Sequence, residues 1–133
     1  MGVTFIEWLE RNQTSGLFIL RAFAGLRLIY GVADNLFSWK HMLLFRDFLD
    51  SAGFPVPLLA AILSVYAQAS AGICYITGWQ IRNAAVLMLF NFAAALLLVH
   101  AGQSIEEQTP ALAMFFISLL FLFTGKRLGR SPV

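Results

Sequence analysis

The stretch "LFILRAFAGLRLIYGVADNLF", residues 17–37, is apolar enough to enter a bilayer and yet carries Arg21, Arg27 and Asp34. Lipid cannot solvate such groups, so each must reach the headgroups, find a partner or face the interior of a bundle. Arg27 and Asp34 are seven apart and share one helical face about 10 Å apart along the axis. Leu20, Phe23, Ala24, Tyr30 and Gly31 lie on that face too. Arg21 points elsewhere and is expected to reach the headgroups at the nearer end. Arg27 lies near mid-span, where an insertion cost of roughly 3 kcal/mol predicts that it faces the bundle or a wet cavity.

The rest of the chain fits a membrane setting. Of 133 residues, 59% are hydrophobic and only 12% charged, outside the range of soluble domains. Four apolar stretches stand out as membrane spans, at residues 17–36, 57–77, 82–100 and 110–124, the last short and expected to extend on either side. Pro57 opens the second, and Thr109-Pro110 reads as an N-cap followed by a first-turn proline for the fourth. Gly78, Gly102 and Gly125 follow helix ends. Short connections between the last three spans predict antiparallel neighbours. The expected fold is therefore all-α, an up-down bundle of four membrane helices forming one domain over residues 1–133.

In the first loop, "WKHMLLFRDFLDSAGFPVP" places Met42, Phe45, Phe48 and Leu49 at helical spacing. That pattern predicts a short amphipathic helix in the outer interface. Arg11, Arg82, Lys126, Arg127 and Arg130 fall on one side of the four spans, against Lys40 and Arg46 on the other. The positive-inside rule then places both termini in the cytoplasm. The start of the chain lacks the basic n-region of a cleaved signal. The basic residues form no stripe, so no nucleic-acid partner is expected. One cysteine, Cys74, excludes an internal disulfide or a multi-cysteine metal site, and two histidines give no grounds for haem or zinc.

Polar residues inside the spans are the candidate site. Gln68 lies on a face with Ala61, Ser64, Ala71, Gly72 and Tyr75, and Asn91 shares a face with Ala84, Leu87, Ala94 and Ala95. Convergence of these faces with that of Arg27 would make an interior polar cluster, with Tyr30 at its wall. Asp34, Asn35, His41 and His100 arrive at the outer end, where an imidazole beside a carboxylate could move protons or bind a carbonyl. The same residues also admit a plainer role: Gln68 and Asn91 as interhelical hydrogen-bonding glue, and Arg27 paired with Asp34.

The order of several short motifs resembles the DoxX-like family of small four-span membrane proteins. Arg21, Gly25 and Gly31 match the family's rhythm in the first span, and Gly53, Pro55 and Pro57 match its G-x-P-x-P entry to the second. Ala71-Gly72, Gly78, Arg82 and Ala84-Ala85 match the run from the second span into the third, and His100 matches a polar position at its end. Two positions depart: Gln68 stands where many members carry Glu, and Asp34-Asn35 where Lys-Leu is common. Relatives include the DoxD subunit of thiosulfate:quinone oxidoreductase. The resemblance implies an accessory subunit of a quinone-linked or redox-stress oxidoreductase in a bacterial inner membrane, with protein partners and quinone as the ligand. On that reading Arg27, Tyr30, Gln68 and Asn91 line a pocket, while Asp34 and His100 serve its outer end. A non-catalytic structural or assembly protein that docks partners and a small transporter are the alternatives, and either reading is compatible with an oligomer.

Overall fold

The computed structural model describes residues 2–99, 102 and 104–125, and it is helical almost throughout. The elements are α1 (Gly2–Arg11), α2 (Gln13–Phe37), α3 (Trp39–Ser51), α4 (Pro57–Thr77), α5 (Ile81–Ala94), a π-helical turn (Ala95–Val99) and α6 (Ile105–Thr124). Four segments are long and apolar enough to cross a membrane: Gln13–Phe37, Pro57–Thr77, Ile81–Leu98 and Ile105–Thr124. The four-helix bundle and the amphipathic helix of the first loop are both present.

Antiparallel packing follows from close contacts. Gly25 of α2 and Gly72 of α4 face each other so tightly that a Cβ on Gly25 would lie 2.5 Å from the Gly72 carbonyl. A Cβ on Gly72 would in turn meet the Gly25 carbonyl at 2.7 Å. Without side chains the backbones approach, and dispersion between α2 and α4 replaces the hydrophobic drive that lipid does not supply. Gly78 ends α4 in the left-handed conformation (φ 85°), and its N–H donates to the Cys74 carbonyl.

Among the described residues two apolar clusters hold the helices together. One joins all four spans through Leu17, Ala24, Leu28, Tyr75, Met88 and Phe121. The other fixes α3 with Val32, Met42, Leu49, Ala61 and Val65. Met42 and Leu49 are therefore buried against α2 and α4, and α3 is packed onto the bundle rather than lying free in the interface. Helix α4 contacts both α2 and α5, and α5 contacts α6, but α2 and α6 make few direct contacts.

Several boundaries differ from expectation. Helix α6 begins five residues before Pro110, so Thr109-Pro110 is not its start. Ser104 is the N-cap, its Oγ accepting from the Glu107 N–H at 3.3 Å, an S-x-x-E capping pair hidden in a polar loop. The Thr109 hydroxyl instead donates to the Ile105 carbonyl. The third span changes from α to π at Ala95, which the expected uninterrupted helix over 82–100 did not foresee. Helix α1 was not expected at all; Phe5, Ile6, Trp8 and Leu9 form an exposed apolar face on it, as in interfacial helices. His100 and the basic tail residues Lys126, Arg127 and Arg130 lie outside the described residues.

Candidate functional site

The buried arginine of α2 is Arg21, not Arg27. Arg21 is only 6% exposed, whereas Arg27 is exposed on the bundle surface. The inward stripe of α2 is Leu17, Arg21, Ala24, Gly25, Leu28 and Val32. Its register is set by Gly25, which must meet Gly72, and Arg21 lies one turn away on the same face. Nε and Nη1 of Arg21 are sealed from solvent with no hydrogen-bond partner among the described residues. The guanidinium lies 5.5 Å from the Phe18 ring centroid, a cation–π contact.

Gln68 and Asn91 converge as expected, with Ser64 between them. The Ser64 hydroxyl donates to Asn91 Oδ1 at 2.7 Å, and Gln68 Nε2 donates to Ser64 Oγ at 3.0 Å. Ser64 and Gln68 are four apart and so stack on one face of α4, and Asn91 approaches from antiparallel α5. This chain of three polar groups leaves Asn91 Nδ2 and Gln68 Oε1 without partners among the described residues, neither sealed off by its neighbours.

The polar chain forms part of the wall of a cavity of about 360 Å³. Phe45, Phe48 and Leu49 of α3, followed by Phe54, supply one side, and Leu87, Phe90 and Phe92 of α5 another. Ala94 and Ala95, where α5 passes into the π turn, complete it. Such turns frequently accompany functional sites because they displace the wall from regular helical register. A mostly apolar cavity with a few convergent polar groups is the usual form of a small-molecule site. The aromatic walls were not recognised in the sequence, because Phe45 and Phe48 fit equally well on an interfacial helix.

A second cavity, of about 390 Å³, lies between α2 and α6. Phe23, Arg27, Leu28 and Gly31 line one side, and Pro110, Ala111, Ala113, Met114 and Ile117 the other. Gln68 and Phe92 line both cavities and form the partition between them. Arg27 thus shares a cavity with Gln68 but does not join the Ser64–Asn91 chain.

The other expected site residues are dispersed. Tyr30 is 80% exposed and lines neither cavity. Asp34 is exposed, and no ion pair joins it to Arg27 among the described residues. Asn35 and His41 do meet, Asn35 Nδ2 donating to the His41 carbonyl at 3.1 Å. Of the family-motif positions, Arg82 has a clear structural task. Its Nε and Nη2 donate to the carbonyls of Leu122 and Phe123 at 3.1 and 3.3 Å, satisfying the C-terminal end of α6. Among the described residues no group of His, Cys, Asp or Glu is placed to hold a metal ion.

Comparison with known proteins agrees with this architecture. No curated protein and no solved structure gave a significant match. The DoxX family model matches residues 16–101, more than half of the chain and the region that carries α2, α3, α4, α5 and the first cavity. With four apolar helices of spanning length and that match, the chain is an integral membrane protein that belongs to the DoxX family.

Proposed function

We propose that this DoxX protein is an accessory subunit of a quinone-linked oxidoreductase complex and holds the quinone ring in the aromatic cavity between α3, α4 and α5. The observation that carries the reading is the Ser64–Gln68–Asn91 chain set in an otherwise apolar, aromatic wall. Quinones are flat, uncharged and apolar, with carbonyl oxygens that accept hydrogen bonds. Asn91 Nδ2 is the free donor for one of them, held in place because its own Oδ1 is occupied by Ser64. The phenylalanines of α3 and α5 supply stacking surface and exclude water. Gln68 steadies Ser64 and, being an amide, adds no charge that a neutral ring would have to desolvate.

Quinone, when bound, supplies the electron-accepting chemistry. The chain's own residues bind and orient the ring, and electrons come from a partner protein. The family and the basic side of the bundle support a bacterial inner membrane with both termini in the cytoplasm.

The test is calorimetric titration of the purified full chain with decylubiquinone, a short-tailed quinone. Asn91→Leu is expected to weaken binding about 10- to 100-fold, the scale of a hydrogen bond lost in a dry site. Ser64→Ala is expected to weaken it less, because Asn91 remains but loses its orientation. Wild-type affinity in Asn91→Leu contradicts the proposal.

A further inference from the structure

We propose that the second cavity is a separate site for a single-chain carboxylate amphiphile, with Arg27 as the residue that receives the carboxylate. Three features meet there. First, the guanidinium of Arg27 has no hydrogen bond or ion pair among the described residues, although it belongs to a membrane-spanning helix. An uncompensated cation in hydrocarbon is unfavourable, so an anion that enters with it is favoured strongly. Second, the guanidinium lies over Gly31: a Cβ there would come within 2.8 Å of Nη1, so the group occupies the notch that this glycine leaves. A planar fork in that position, with its donors unused among the described residues, suits two parallel hydrogen bonds to a carboxylate. Third, the cavity beside it is apolar, with Phe23, Met114 and Ile117 in its walls, and it occupies the gap where α2 and α6 fail to close.

Depth selects the head group. Gly31 is six residues before the end of α2 at Phe37, about 9 Å along the axis. A phosphodiester stays charged and carries a bulky polar head over any such distance, whereas a fatty acid has a head of two oxygens and can enter as the neutral acid. The acid then lies with its head at Gly31 and its chain directed toward the middle of the membrane, along Phe23 and Ile117. Gln68 and Phe92 border both cavities, but Arg27 lines only this one and Asn91 only the first, so variants at those two residues test the two sites separately.

Native mass spectrometry of the full chain, released from neutral detergent with oleate, oleyl alcohol or phosphatidylglycerol present, provides the test. Wild type is expected to retain one oleate and little of the other two. Arg27→Gln is expected to lower retained oleate about tenfold or more, the scale of lost charge-assisted hydrogen bonds. Arg27→Lys is expected to retain oleate within a few-fold of wild type. Ala113→Trp, on the opposite wall, is expected to lower it by narrowing the cavity with the cation intact. Undiminished oleate on Arg27→Gln overturns the site. Equal retention of oleyl alcohol overturns the role of the charge, and retention of phosphatidylglycerol at least equal to that of oleate overturns the assignment of a carboxylate.

Discussion

Tyr75→Ala is expected to destabilise the folded bundle by about 3 kcal/mol or more, the range for removing a buried aromatic ring. Tyr75 is fully buried where the spans meet, its ring edge-on to Phe121 with centroids 4.8 Å apart. Its hydroxyl and that of Ser118 lie 2.7 Å apart and share a hydrogen bond between α4 and α6. In a bilayer the lost stabilisation is chiefly packing, since lipid tails are as apolar as the protein interior. The void left by the ring is therefore the main term. Tyr75→Phe isolates the other term. It removes only the hydroxyl, and Ser118 can turn its own hydroxyl to the carbonyl one turn earlier. Hydrogen bonds between membrane helices are worth about 0.6 kcal/mol on average, so this variant is expected to stay within about 1 kcal/mol of wild type. Equilibrium unfolding by titrating dodecyl sulfate into mild-detergent micelles measures both. A Tyr75→Phe loss as large as that of Tyr75→Ala would transfer the weight from the ring to the hydroxyl pair.

The second large effect has the opposite sign. Arg21→Met is expected to stabilise the bundle by about 1–3 kcal/mol. Two of its guanidinium nitrogens are buried without partners, and the cation–π contact with Phe18 offsets only part of that penalty. In the unfolded chain, arginine can extend to the headgroups, so folding bears the whole desolvation cost. Methionine fills much of the same stem volume and needs no partner. The same unfolding titration reads the gain. A loss of stability in Arg21→Met would mean that the guanidinium is satisfied in the folded protein by a group the chain itself does not provide.

These two sites show what the sequence conveyed and what it did not. The spans were legible because length and hydropathy are local properties, and α4 was expected over the same residues that it occupies. Gln68 and Asn91 were legible as well: each is the lone amide well inside a span, on a face with small neighbours. The burial of Arg21 was missed because helical spacing fixes the angle between residues but not which face meets a neighbour. Each arginine is followed four residues later by glycine, Gly25 and Gly31, so both faces offered a notch. Only the pairing of Gly25 with Gly72 across α2 and α4 decides between them, and that is a property of two helices together. The start of α6 was misplaced for a different reason. Pro110 is a strong first-turn signal, yet Ser104 and Glu107 had already capped the helix, leaving the proline inside it. The π turn at Ala95 has no sequence signature that distinguishes ALLLV from an ordinary apolar turn.

The aromatic cavity unites these elements, since α3 had to fold onto α4 before Phe45 and Phe48 could face Asn91. The most direct measurement of that arrangement is photolabelling of the full chain in membranes with an azidoquinone, followed by mapping of the labelled peptides. Saturable label on residues 45–54 and 87–95, displaced by decylubiquinone and strongly reduced in Asn91→Leu, is the predicted result. Label confined to α2 and α6, or label that excess quinone does not displace, would contradict it.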